Sequence, residues 1–284
     1  MRVAISGSHG LIGSALGARL SGDGHEVVRV RRNESGLDVA CLDGADAVVH
    51  LAGVGIGDKR WSDEHKKRVI ESRVEGTTRV ARAVASMDRP PALLSASAVG
   101  YYGDRGSEDL TEDSGPGRGY LADVCAAWER STAEAESAGA RVIHLRSGIV
   151  LTPAGGALKK QLLLFKAGLG ARLGSGRQYL SWIALEDEVG AIVFALSQPE
   201  MRGAVNLTAP NPVTNAAFTK ALGRALHRPA VLAAPPLALK LAMGSEMAEE
   251  MLLSGAKVLP RALEQARYPF RFPTLDGALA SMFA

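Results

Sequence analysis

Seven residues near the start of the chain carry its strongest chemical signal: Gly7-Ser8-His9-Gly10-Leu11-Ile12-Gly13. They follow a strand-like Arg2-Val3-Ala4-Ile5 and lead into a helix-like Ser14–Leu20. In that setting Gly7 permits a tight turn, Gly10 lets the backbone approach a pyrophosphate, and Gly13 lets helix pack on strand. The backbone N–H groups at the helix start, at Leu11, Ile12 and Gly13, then face the phosphates with the helix dipole behind them. A second strand, His25–Val30, ends in Arg31-Arg32, about twenty residues beyond the glycines, where a dinucleotide's ribose is read. An acidic residue there would bond a free 2′-hydroxyl. Two arginines instead offer bidentate partners to a 2′-phosphate, so the expected cofactor is NADP(H) rather than NAD(H).

Stepping outward, the elements that would position these residues alternate between strand and helix. Ala45–Gly53 reads as a buried parallel strand closing in small residues, Leu51-Ala52-Gly53, where bulk would collide with the adenosine. Helical periodicity runs from Ser62 to Ser86 and stops at Pro90-Pro91. Strands are expected at Ala92–Val99 and Ala140–Arg146, with one long helix from Tyr120 to Ala138 between them. The rhythm breaks in the glycine-rich stretch 153–185. It returns with a helix at Glu186–Ser197 and a strand at Gly203–Leu207, and ends in short helices separated by prolines.

The expected fold is α/β: a Rossmann-type doubly wound parallel sheet with a smaller, discontinuous, mostly helical C-terminal lobe. The expected division is a cofactor domain over 1–152 with a return segment at about 186–210, and a substrate lobe from 153–185 and 211–284. The cleft between them would hold the reaction.

A net charge of +3, from 33 basic and 30 acidic residues, argues against nucleic acid or membrane surfaces as partners. The run His65-Lys66-Lys67-Arg68 reads as a solvated helix face. Cys41 and Cys125 give neither a disulfide framework nor metal-type spacing, and the six histidines suggest no metal site. The N-terminus reads as a core strand without a cationic leader. The longest apolar stretch, Ala230–Met243, is broken by Pro235, Pro236 and Lys240. The expected location is the cytoplasm.

Beyond the glycines, Ser95-Ala96-Ser97-Ala98-Val99 followed by Tyr102-Gly103 resembles the extended short-chain dehydrogenase/reductase superfamily, the sugar-nucleotide epimerases in particular. More specifically the chain resembles an atypical epimerase-like subgroup whose C-terminal part is a domain of unknown function. Arg60-Trp61-Ser62, Glu71-Ser72-Arg73, Ser97–Gly103, Leu121–Glu129, Leu145–Leu151, Gly155–Leu158, Gly174-Ser175-Gly176 with Gln178, and Ser181-Trp182-Ile183 carry that resemblance over nearly the whole chain. Two positions depart from it: Ala184 stands where a histidine is usual, and Ala171 where a second glycine is.

The resemblance implies a catalytic Tyr and Lys one helical turn apart, the lysine lowering the phenol's pKa from about 10. Aligned on Glu129, those positions hold Leu121 and Cys125, and no lysine occurs between Lys67 and Lys159. The standard dyad is absent. Ser97 stands where the superfamily's serine or threonine meets a substrate oxygen, and Tyr101 or Tyr102 would lie near the nicotinamide edge; Ser97 and Tyr101 are the catalytic candidates. The alternative makes Ser97 a strand end and the tyrosines the lining of a half-buried loop. Cys125, near a helix start, is either an activated thiol or a small buried one.

Arg73 either reaches the cofactor's phosphates or ribose, or pairs with Glu71 or Glu75. Val150 would supply a backbone contact at the nicotinamide. Arg146 reads as a buried ion-pair partner, Trp128 and Trp182 as core, and Arg177 and Gln178 as substrate contacts. The expected function is an NADP(H)-binding, epimerase-like oxidoreductase acting on a small molecule. Its rival is a non-catalytic NADP(H)-dependent sensor or scaffold. Superfamily members often dimerise through helices, so a homodimer is compatible with the resemblance.

Overall fold

The computed structural model describes residues 1–33 and 36–284. Six strands form one sheet: β1 (Arg2–Ser6), β2 (Glu26–Val30), β3 (Ala47–His50), β4 (Ala92–Ala98), β5 (Val142–Ser147) and β6 (Gly203–Leu207). Their order across the sheet is β6-β5-β4-β3-β1-β2, and the pairs β1–β2, β1–β3 and β3–β4 run parallel. The chain turns one way from β1 to β2 and the other way from β1 to β3, which creates a switch point at the carboxyl end of β1. All four residues of β3 are buried, the polar His50 with the apolar Ala47, Val48 and Val49, as a strand covered on both faces requires.

The described residues divide into two compact units. One comprises Met1–Ala98, Val124–Arg146 and Val189–Val205; the other comprises Val99–Asp123, Ser147–Glu188 and Asn206–Ala284. In the first, Val48, Val80, Val84, Leu93 and Val142 build a core around the sheet. In the second, Leu158, Phe165, Trp182, Phe218 and Leu279 form a separate core.

Helix α1 (Leu11–Gly22) follows the glycine turn, and α2 (Asp63–Ala85) is capped by Ser62, whose hydroxyl accepts from the His65 N–H at 3.2 Å. Asp63 and Glu64 complement the dipole in its first turn. The expected single helix from Tyr120 to Ala138 is instead two, α3 (Tyr120–Arg130) and α4 (Ala133–Ser137). Thr132 breaks it: its hydroxyl donates to the Glu129 carbonyl at 2.8 Å, a local bond that competes with helical pairing.

Within the glycine-rich stretch 153–185 lies α5 (Gly156–Lys166). Its buried Leu158, Leu162 and Phe165 recur at helical spacing, the signal that marks it. Helices α6 (Leu185–Ser197), α7 (Asn215–Ala225) and α8 (Pro236–Met243) follow, then short helical segments to Phe283. No helix among the described residues is long and apolar enough to cross a membrane.

Candidate functional site

Strand register sets three of the sequence-predicted cofactor residues side by side. Ser6 pairs with Val30 on one side and His50 on the other, so Gly7, Arg31 and Leu51 leave the sheet side by side. Gly7 has φ 70°, and a Cβ there would lie 2.8 Å from the backbone C and O of Leu51. A Cβ on Gly13 would lie 2.3 Å from the Gly7 carbonyl oxygen. Gly10 closes the turn through its N–H to Gly7 O at 2.9 Å and caps α1 without a side chain. The N–H groups of Leu11, Ile12 and Gly13 have no intrahelical acceptor in the first turn of a helix, and no acidic side chain occupies that turn. Arg31 and Arg32 are exposed beyond β2. The cradle is one that side chains would fill, with free donors and two cations at its rim. It fits a 2′-phosphorylated dinucleotide.

Behind the turn, Ser6 Oγ and His50 Nδ1 lie 2.6 Å apart. Burial, with the Arg32 charge adding to it, pushes His50 down to about 4, so the imidazole is neutral and acts as a hydrogen-bonding strut. Arg73 is buried. Its guanidinium donates to Val54 O at 2.9 Å and Val69 O at 3.1 Å and stacks 4.8 Å above the Trp128 ring. It lies against Gly53, whose Cβ would be 3.5 Å from Arg73 Cζ. Arg73 thus supports the Leu51–Val54 segment from below. Trp128 and Trp182 are buried, their indole N–H groups donating to Thr77 Oγ1 and Asn211 O.

Ser97 belongs to a buried ionic cluster that sequence spacing did not reveal. Its hydroxyl donates to Glu129 Oε1 at 2.6 Å, and Arg146 holds both carboxylate oxygens of Glu129 at 2.8 and 2.9 Å. Burial alone would raise the Glu129 pKa, but the bonds from Arg146 and Ser97 outweigh it and hold the carboxylate below its usual range. Burial depresses His144, which sits beside the same glutamate. In the first unit too, burial pushes the Cys125 thiol up to about 12, so it is an inert core group and not an activated one.

The second unit holds Tyr101 and Val150. Tyr101 packs edge-to-face on Tyr102, with ring centroids 5.3 Å apart, and Tyr102 donates its hydroxyl proton to Asn206 Oδ1 at 2.7 Å. Val150 lies in a short strand, Ile149–Leu151, parallel to Trp182–Ala184. Gln178 is spent on structure: its amide donates to Leu173 O and Leu252 O. Arg177 is exposed.

Three carboxylates of this unit were not anticipated. Glu250 accepts from the Tyr120 and Leu121 N–H groups at 2.7 and 2.8 Å, capping α3 from 130 residues away. Asp187 is buried and accepts from the N–H groups of Arg271 and Phe272, both at 2.8 Å, fastening the C-terminal segment. Glu188 is buried, takes a 2.5 Å bond from Ser147, and leaves Oε2 without a partner. No local spacing announces any of the three.

Burial pushes Glu188 up to about 8. A carboxyl raised from 4.5 stabilises the fold fully below pH 4.5 and loses that contribution as pH climbs through 8, a change of a few kcal/mol. Thermal unfolding between pH 5 and 9 should therefore show wild type losing stability against Glu188→Gln as pH rises. Parallel curves would show that this carboxyl does not titrate on folding.

The second unit also holds a partly open cavity of about 260 Å³, lined by Val99, Leu121, Ile149, Tyr179, Glu250 and Met251 among others. Leu121, at the position where the superfamily's tyrosine is expected, is part of its wall. Among the described residues no group of three His, Cys, Asp or Glu side chains is arranged to hold a metal.

Comparison with known proteins agrees with this architecture. The family model for the NAD dependent epimerase/dehydratase family matches residues 3–207, and a domain of unknown function, DUF1731, matches 234–282. An epimerase family protein of Mycobacterium bovis, Mb2239, is 48% identical over 98% of this chain and 96% of its own length. A chloroplastic homologue of epimerase family protein SDR39U1 from Arabidopsis thaliana is 36% identical, covering 99% of this chain and 86% of its own. The crystal structure of human SDR39U1 with NADPH superposes with a TM-score of 0.92 at 34% identity, covering 99% of each chain. With family model, relatives and sheet topology in agreement, this chain belongs to the NAD dependent epimerase/dehydratase family.

Proposed function

We propose that this protein binds NADP(H) and uses it in an oxidoreductase reaction on a small molecule, without the Tyr–Lys dyad of its superfamily. The observation that carries the reading is the alignment of Gly7, Arg31 and Leu51 at the carboxyl ends of three adjacent strands, beside an uncapped helix start. Gly7, Gly10, Leu11, Ile12 and Gly13 would hold the pyrophosphate, and Arg31 and Arg32 the 2′-phosphate. Leu51, Ala52 and Gly53, supported by Arg73, would border the adenosine, and Val150 would meet the nicotinamide. The human relative crystallised with NADPH supports this choice. When bound, the cofactor supplies or accepts a hydride. The proton must come from this chain or from water, and Ser97 and Tyr101 are the residues to test. Ser97 gives its own proton to Glu129, so it can present only lone pairs unless that bond reorganises.

Titration with NADPH and NADH, followed by nicotinamide fluorescence and thermal shift, tests the reading directly. NADPH should bind tightly and NADH weakly. Arg32→Ala should cost NADPH about 1–3 kcal/mol, as loss of one charge-assisted contact does, and leave NADH nearly unchanged. Equal losses for both would make Arg32 structural. If Ser97→Ala and Tyr101→Phe leave every turnover unchanged, catalysis through those residues is ruled out.

One observation favours a second reading, an NADP(H)-dependent sensor or scaffold. The dyad positions hold a cavity-lining leucine and a fully protonated core thiol, neither able to relay a proton. Binding of NADPH with no turnover on any carbonyl or alcohol would select it.

A further inference from the structure

The cavity of the second unit has a chemistry of its own. Its volume of about 260 Å³ lies near the lower end of small-molecule pockets, room for a small organic compound. The apolar wall comes from Val99, Leu121, Ala122, Ile149, Met251 and Ala256. The charged lining residues are Arg118 on one side of the balance and Asp104 and Glu250 on the other. Glu250 has both oxygens committed to the start of α3, and Lys257, beside the Tyr179 ring, is paired with Asp109 at 2.5 Å.

A pyrophosphate group carries about two negative charges and needs clustered cations or free helix donors. Here one exposed arginine faces two carboxylates, and the helix start is already occupied by Glu250. The lining therefore offers no charge complement to the pyrophosphate of a nucleotide sugar. The neutral polar side chains of the lining are Tyr179, Ser181 and Ser254. The Ser181 hydroxyl is consumed, donating to Ala256 O at 2.7 Å and accepting from the Val258 N–H at 2.9 Å. Tyr179 and Ser254 remain to meet a single uncharged polar group.

We infer that this cavity is the substrate pocket and that it takes a small, mostly apolar carbonyl compound or the corresponding alcohol, not a nucleotide sugar. The inference rests on the NADP(H) oxidoreductase reading for the reaction, but binding to the pocket stands independently. In that reaction the carbonyl carbon gains a hydride and its oxygen a proton, with NADPH oxidised to NADP⁺.

The test uses the full chain with benzaldehyde, cyclohexanone, 4-phenyl-2-butanone and UDP-glucose as probes. Ligand-observed saturation-transfer NMR without cofactor reads binding, and NADPH absorbance reads turnover. At least one small carbonyl should bind and UDP-glucose should not. Met251→Trp and, separately, Ser254→Phe fill the cavity and should weaken that binding at least tenfold, with NADPH affinity within twofold of wild type. Binding of UDP-glucose, insensitivity of the carbonyls to both fillings, or no small carbonyl bound at all would overturn the inference. Carbonyl binding without NADPH binding would instead overturn the cofactor reading and leave the pocket assignment standing.

Discussion

Gly13→Ala should weaken NADPH binding by about 100-fold or more while the chain still folds. The methyl group would sit 2.3 Å from the Gly7 carbonyl oxygen and 2.9 Å from Ser8 Cα. Both are backbone atoms of the turn, so no side chain can swing away; the turn itself must open. Opening it separates Gly7 from Leu51 and pulls the first-turn N–H groups of α1 out of line. Overpacking of this kind costs about 1–3 kcal/mol in stability, against a larger loss in a phosphate site that depends on several aligned donors.

Gly10→Ala separates the two effects. Its Cβ would meet only Gly7 O, at 3.2 Å, which a few tenths of an ångström relieve. Stability should stay near wild type while NADPH affinity falls, because the methyl occupies the path of the pyrophosphate. Calorimetric titration and thermal unfolding of both variants decide the matter. Wild-type affinity in Gly10→Ala would show that no phosphate approaches there.

Glu129→Ala carries the largest expected cost to the fold, about 3–5 kcal/mol, because it removes one partner of a buried ion pair. The Arg146 side chain is 5% exposed, and the Glu129 carboxylate accepts two of its hydrogen bonds. Ser97 loses its acceptor at the same time. For a chain of this length the loss should lower Tm by about 10 °C.

Glu129→Gln keeps the shape and removes the charge, and it has a distinct pH signature. The folded-state pKa of Glu129 is depressed, so its contribution is present above the usual carboxylate pKa and disappears as pH falls through the lower folded value. The gap between wild type and Glu129→Gln should therefore be full at pH 7 and close on acidification below about pH 4. A deficit under 1 kcal/mol at pH 7 in Glu129→Ala would mean that Arg146 finds another acceptor.

The cluster also bears on chemistry. The resemblance expects the Ser97 hydroxyl at a substrate oxygen, yet its proton is directed at a carboxylate that Arg146 already holds. Releasing it to a substrate oxygen would break a charge-assisted bond, so turnover through Ser97 should be sensitive to both Glu129 variants if it occurs at all.

The cofactor cradle and the sheet were legible in the amino-acid sequence because their determinants are local or periodic. Three glycines and a buried strand each declare themselves within a few positions, and the alternation of strand and helix dictates parallel crossovers. Helix α5 was equally local, though its periodic Leu158, Leu162 and Phe165 were hidden among glycines. The break at Thr132 was harder to see, since it depends on whether one hydroxyl bonds back to its own helix.

What only the tertiary structure decided is which groups compensate buried charge, even for Arg146, whose burial in an ion pair the sequence suggested. Glu250 reaches α3 from 130 residues away, Asp187 clasps Arg271 and Phe272, and Arg146 closes on Glu129 across two elements. Their energies come from desolvation and alignment, which depend on three-dimensional distance and leave no mark in spacing. Residue types named the cofactor expectation; the walls, charge and volume of the substrate pocket existed only once the chain was packed.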